Sequence, residues 1–466
     1  MKSPQELLQM VADKSPCFTE LRYHSRETQT VQVQNGLVKQ IKSSVLSGVG
    51  IRVLIDGAWG FASTSLLTLP ALEAALKQAI ECGKSISQMK RAKVGKLPEV
   101  KLARGVFQLP GYEELRAMPL EKKLHAVREA ESKARKASIQ IQSANSSYQE
   151  IFEDKVTVTS DGASAASKLA RSELRVNTVA EDHGQMSSAH QAVGRTGNWE
   201  CLFNERSIDE LSDITAKLSV DLLKAPHIPG GKHTVILSPS IVGLLAHEAI
   251  GHTVEADFVL SGSVAKDKIG QSIASPLITL CDSGLVPTAP HGGGDLEVDD
   301  EGVPTQVTKV IDQGILVSYL HNRESAALFG VAPTGNARAW LYHDEPLIRM
   351  RNTYIEPGNQ SIEEIIASTE NGYLIDVPLG GQADATGEFM FGAQKVTKIE
   401  NGKLTTLYRG ATISGQAFEV LSTADAVSKE FQLDLGSGYC GKGQPAKVDA
   451  GGPYIRVKTT IGGVQS

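Results

Sequence analysis

The stretch Lys224–His233 reads KAPHIPGGKH, and its two prolines and paired glycines interrupt the periodic patterns on either side. It also separates two halves of different grain. Thirteen of the 44 glycines precede Gly230, and the other 31 fall from Gly230 onward, over nearly equal lengths of chain. We read the segment as a linker between an N-terminal domain, residues 1–228, and a C-terminal domain, residues 229–466. The chain of 466 residues supports the division, because single cores seldom grow beyond about 250–300 residues.

Toward the N-terminus, a helix over Ile208–Leu223 closes the first domain, preceded by alternating patterns through 139–200. Pro119–Ala137 and Leu66–Cys82 have helical spacing, and Leu7, Leu8, Val11 and Ala12 mark a first helix. Phe18–Tyr23, Thr28–Gln34 and Leu37–Ser43 read as three strands, with Asn35-Gly36 turning the last two. Val45–Thr64 reads as two more strands that turn at Asp56-Gly57. Toward the C-terminus come a strand, HTVILSP, and a short apolar helix beginning near Ser240. Beyond about residue 270 the pattern is short strands between Gly, Asp, Asn and Pro turns. The expected fold class is α+β: a mixed α/β domain, then a β-rich domain, barrel or sandwich-like, with a helix at the junction.

Composition narrows the function. At 41% apolar and 21% charged residues with mean hydropathy −0.14, the chain is of ordinary globular type. The balance of 47 basic to 53 acidic residues, net −6, without basic tracts argues against direct nucleic-acid binding. The longest apolar run, Val235–Ala246, is interrupted by Ser238, Pro239 and Ser240, so no membrane span is expected. The N-terminal MKSPQELLQMVADKSP lacks an apolar signal core. Cys17, Cys82, Cys201, Cys281 and Cys440 are scattered without CxxC spacing, which points to a reducing, cytoplasmic setting.

The chemistry lies at the junction, in SIVGLLAHEAIGHTVEADF (Ser240–Phe258). His247, Glu248 and His252 form H-E-x-x-x-H. Imidazoles suit zinc, and a neighbouring carboxylate suits the proton transfer that zinc hydrolases need. The spacing is one residue too long for a regular helix, where residues five apart point about 140° apart around the axis. A π-bulge would restore convergence, and Gly251 is the expected place for the backbone to yield. For a third ligand the residues leave Glu255, Asp257, His291, His321 and Cys440 open. Cys440 sits in GSGYCGKGQP, where Lys442 could keep a thiolate charged; the other four cysteines read as small buried hydrophobes.

Several motifs in order carry a resemblance over nearly the whole chain: GVGIRVLIDGAWGFAST (Gly48–Thr64), LLAHEAIGHTVEAD (Leu244–Asp257), DDEGVPT (Asp299–Thr305) and TGNARA (Thr334–Ala339). RMRNTYIEPG (Arg349–Gly358), GGQADATGEFMFG (Gly380–Gly392), ISG (Ile413–Gly415), CGKGQP (Cys440–Pro445) and the terminal GG of IGGVQS complete the set. The chain resembles the TldD/PmbA family, also labelled modulators of DNA gyrase, and within it the metal-bearing, TldD-like branch. That resemblance implies one Zn(2+) per chain on His247, His252 and Cys440, with Glu248 as the base. It also implies a homodimer, or a heterodimer with a PmbA-like chain lacking these residues. The one departure is a somewhat short N-terminal half.

The remaining motifs have plainer readings. HGGGDLEVDDEGVP (His291–Pro304), with five carboxylates, reads as a solvated hairpin loop rather than a calcium or phosphate site. Arg349, Arg351 and Asn352 fit structural pairing, with Arg349 and Asn352 also candidates to hold substrate. Gly380 and Gly381 fit an edge strand lining a groove. Two function classes follow: a zinc peptidase acting on peptides or unfolded segments, or a non-catalytic interaction protein with a structural zinc.

Overall fold

The computed structural model describes residues 2–89 and 93–462; of the motifs above, Gly463 in the terminal GG lies outside them. The N-terminal half is a seven-stranded sheet. Its order is Ala58–Thr64, Leu37–Ile55, Phe18–Gln34, Ile141–Thr159, Ser164–Asp182 and Arg104–Gln108, with Gln185–Thr196 also paired to Ser164–Asp182. All pairings are antiparallel except that of Arg104–Gln108, which runs parallel to its neighbour. Both expected turns are present, with positive φ at Asn35, Gly36, Asp56 and Gly57.

The two runs Phe18–Tyr23 and Thr28–Gln34 are one 17-residue strand, not two. The apparent break, His24-Ser25-Arg26, is polar because it faces a second layer of protein: His24 and Arg26 are buried against Glu153 of the next strand. On the other face, Leu21, Val49, Ile51 and Val53 pack under the helices Pro4–Ala12 and Leu69–Met89. Further along the sheet, Val31, Val33, Tyr148, Leu174 and Val176 form a core with the helix Leu120–Lys136 and Leu211 of the helix Ile208–Lys224.

The C-terminal half holds an 11-stranded sheet, part of which closes on itself. Gly231–Leu237 pairs with Asn371–Ala383, which pairs with Glu388–Glu400, then Ala411–Gln416, then Asp449–Gly462, and this last strand pairs back to Gly231–Leu237. The circuit is a small barrel. The helix following its first strand enters the core: Ile241, Val242, Leu245, Ala246, Ala249 and Ile250 are buried with Ile375, Phe391, Ile455 and Val457. Among the described residues, no helix is long and apolar enough to cross a membrane.

One expectation is overturned. The loop His291–Pro304 is not solvated: Asp295, Asp299, Asp300 and Glu301 are all buried. Each carboxylate has partners from elsewhere in the chain, which is what makes its burial tolerable. Glu301 binds Arg52 of the first sheet at 2.5 Å and the amide of Arg323 at 2.7 Å. Asp300 binds Lys155 at 3.1 Å, and Asp299 accepts from the amides of Glu301, Val303 and Ala337. The glycines serve contact rather than a phosphate. A Cβ on Gly293 would lie 2.5 Å from the carbonyl oxygen of Gly436, so two backbones of the C-terminal half meet there.

Candidate metal centre

The apolar helix Pro239–Leu244 passes directly into a π-helical turn, Leu245–Gly251, and then into a short 3-10 turn, His252–Val254. The wide turn does what the five-residue spacing requires. It brings the imidazoles of His247 and His252 to 5.2 Å between ring centroids, nearly perpendicular to each other. Gly251, however, is helical, with φ −54° and ψ −48°. Its role is steric: a Cβ there would stand 2.0 Å from the sulfur of Met350. Glycine lets the strand-side loop press against the turn, so the expected backbone yielding is replaced by a close approach.

Cys440 arrives on a small hairpin, Tyr439–Lys442 with Gln444–Lys447. Its Sγ lies 3.2 Å from His252 Nε2, and ligand atoms of His247, His252 and Cys440 fall within 4.8 Å of one another. Arg349 fixes the hairpin. It is buried, its Nη2 donates to the Cys440 carbonyl and its Nη1 to the Gln444 carbonyl, both at 2.7 Å. His252 Nδ1 meets Glu255 Oε2 at 2.9 Å, which turns Nε2 toward the other two groups. Lys442 does not attend the thiol. Its Nζ reaches Asp257 Oδ1 at 2.8 Å, the Ile348 carbonyl at 3.0 Å and Glu255 Oε2 at 3.1 Å.

The electrostatics favour a ligating thiolate. Burial raises the Cys440 thiol, but His247 and His252 overcome that and hold it down at about 4. Burial disfavours charge on His252, yet Glu255 and the Cys440 sulfur raise it to about 10. Glu255 itself is buried, which raises it, but His252 and Lys442 bring it below the ordinary carboxylate range. Neither ring nitrogen of the buried His247 has a hydrogen-bond partner. In a neutral imidazole one nitrogen is an acceptor, and leaving it buried and unpaired costs free energy unless a cation takes its lone pair. Tetrahedral zinc at about 2.3 Å from sulfur and 2.0–2.1 Å from nitrogen separates ligand atoms by roughly 3.3–3.6 Å, compatible with this trio. Glu248 stands beside it, Oε2 at 3.7 Å from His252 Nε2, with its side chain 27% exposed.

The other candidates lie elsewhere. His291 Nδ1 is 3.0 Å from the Thr196 carbonyl, and His321 Nδ1 is 3.0 Å from Ser325 Oγ. Asn352 is fully buried: its Nδ2 donates to Ser283 O and Asp295 Oδ1, and its Oδ1 accepts from Gly294 N. The substrate contact expected of Asn352 therefore does not fit its placement, and the guanidinium of Arg349 is committed to the hairpin. Arg351 is structural, bound to Asp282 at 2.9 Å. Gly380 and Gly381 are exposed at the end of Asn371–Ala383, beyond Tyr373–Ile375, where that strand pairs with Gly231–Leu237. Glu255, three residues beyond His252, is its hydrogen-bond partner rather than a third ligand, a role the i to i+3 spacing alone could have signalled.

Family models cover the chain in three pieces: PmbA/TldA metallopeptidase domain 1 at residues 19–82, the central domain at 113–223 and the C-terminal domain at 230–463. The chain belongs to the TldD/PmbA family. It is 31% identical to a metalloprotease of Methanocaldococcus jannaschii over 95% of this chain and 96% of that one. A zinc metalloprotease TldD homolog of Saccharolobus solfataricus is 30% identical, over 95% of each chain. In fold it matches TldE from Thermococcus kodakarensis, with TM-score 0.80 at 18% identity, covering 100% of both chains. In this chain the histidine pair and the cysteine come together in one cluster, with His247 and Cys440 buried and His252 partly exposed.

Proposed function

We propose that this TldD/PmbA member is a zinc-dependent peptidase that holds one Zn(2+) per chain on His247, His252 and Cys440. The observation that carries the reading is the convergence of one ligand atom each from His247, His252 and Cys440 within 4.8 Å, with the His247 nitrogens free of any other partner. Zinc held there would polarise a peptide carbonyl and acidify water. Glu248 is the group that takes the water's proton and returns it to the leaving amine. It is a carboxylate beside the cluster with an exposed side, 3.7 Å from His252 itself. The buried Glu255 holds His252 in the ligating orientation, and Arg349 holds the backbone of Cys440.

A structural zinc site would call for a fourth protein ligand, whereas the cluster has three with Glu248 alongside. Access favours extended chains. His247 is buried and His252 shows only 19% of its side chain, so a folded surface cannot reach the pair. An unfolded segment can add to the exposed run at Gly380-Gly381, where a Cβ on Gly380 would meet open space. We further propose a dimer, homomeric or with a PmbA-like chain, in the cytoplasm. Residues 37–47 form an exposed strand with Leu37, Val38, Ile41, Val45 and Leu46 uncovered, and no described strand pairs with their outer edge. Such an edge is a ready interface. The test is metal analysis combined with digestion of a peptide library by the wild type and by Glu248→Gln. The variant should retain zinc and lose cleavage.

A further inference from the structure

The seam between the two halves contains a second cluster that lacks a partner, and its deficit has the opposite sign. Arg26, Lys155, Arg171, Arg338 and Lys447 line one small cavity together with Trp340, and Glu153 is the only carboxylate on its wall. Lys155 is matched by Asp300 at 3.1 Å, and Lys447 by Glu173. That leaves three guanidiniums to share Glu153. Arg26 Nη2 binds Glu153 Oε1 at 2.6 Å, and Arg171 Nη1 binds Glu153 Oε2. Arg338 has only carbonyls, those of Met350 and Lys447, each at 2.6 Å.

Arg26 is the decisive group. It is 6% exposed, its guanidinium lies 3.4 Å from the centroid of the Trp340 ring, and its Nε and Nη1 have no partner. A buried guanidinium that must share its one carboxylate with a second guanidinium is under-compensated, which is costly. A water can accept hydrogen bonds but cannot repay the charge. The neighbouring groups report the same deficit: burial, with mutual repulsion, lowers Lys155, Arg171 and Lys447, and brings Arg338 down to about 9. The cavity offers about 10 Å³, the room of one water-sized particle, which excludes phosphate or a peptide carboxylate.

We propose that this cavity binds a single halide ion, chloride under ordinary conditions, held by Arg26, Arg171, Arg338 and Lys447. The ion ties together four separate pieces of chain. Arg26 comes from Phe18–Gln34, Arg171 from Ser164–Asp182 and Arg338 from the short strand Ala337–Arg338. Lys447 comes from the hairpin whose opposite face carries Cys440. The halide is thus a clamp across the seam, on the far side of the hairpin from the metal cluster, and it does not depend on the peptidase reading.

The full-length, metal-loaded protein is crystallised with bromide as the only halide, and its melting temperature is measured in chloride and in gluconate at equal ionic strength. A bromide anomalous peak within hydrogen-bond distance of Arg26 is expected. The wild type should melt about 2–4 °C higher in chloride, and Arg26→Gln should lose that difference. A water or nothing in the cavity, with equal melting in the two salts, would overturn the proposal. A chloride effect that persisted undiminished in Arg26→Gln would place the anion elsewhere and overturn it as well. Should Arg26→Gln fail to fold, the wild-type anomalous map decides alone.

Discussion

The metal cluster and the interdomain seam both bury polar groups, and they differ in what is missing. At the cluster, potential metal ligands converge: one nitrogen each of His247 and His252 and the Cys440 sulfur. At the seam, donors converge: three guanidiniums around one Glu153 carboxylate. An excess of acceptors calls for a cation and an excess of donors for an anion. Elsewhere, buried histidines such as His24 and His321 have a protein partner for one nitrogen, Glu153 and Ser325, and carry no such demand. Burial of a histidine says little by itself; the unpaired atoms and their direction carry the information.

The comparison can be broken first at the cluster. His252→Ala or Cys440→Ser should remove the bound zinc and lower peptide cleavage by at least about 100-fold, checked by metal content and initial rates. At the seam, Glu153→Gln removes the one charge shared by Arg26 and Arg171. Urea unfolding should show a loss of about 3–5 kcal/mol, because the cations remain buried without it. Gly251→Ala tests the packing beneath the metal turn. The Cβ would collide with Met350, so a loss of about 1–3 kcal/mol is expected, and Met350→Ala in the same chain should recover part of it.

The smallest effect concerns Asp295. Its carboxyl is pushed up to about 7 by burial, against the hydrogen bond from Asn352 and with help from Asp449. Its folded value lies above its unfolded one, so its stabilising contribution is full below about pH 4 and is lost as pH rises through about 7. Asp295→Asn should flatten the fall in stability between pH 5 and pH 8 by roughly 1 kcal/mol or more. Unfolding curves at the two pH values check it.

Much of the fold was legible because its signals are local. The Asn35-Gly36 and Asp56-Gly57 turns and the five-residue histidine spacing each state their geometry within a few residues. What escaped were features whose meaning lies across the seam. His24 and Arg26 looked like a strand break until Glu153 stood opposite them. The loop Asp295–Glu301 looked solvated because its cations, Arg52 and Lys155, belong to the other half. Arg349 fits the structural pairing with turn carbonyls that its sequence suggested, but which carbonyl, that of Cys440, lay far along the chain. Charge patterns are ambiguous from sequence because burial and exposure both suit them, and only the partner decides.

The central claim is that the cluster binds zinc for hydrolysis and that Glu248 moves the proton. The most direct measurement is zinc content and peptide turnover of Glu248→Gln side by side with the wild type. The account predicts about one zinc per chain in both proteins and turnover reduced by roughly 10²–10⁴-fold in the variant. Near wild-type turnover with zinc retained would contradict it.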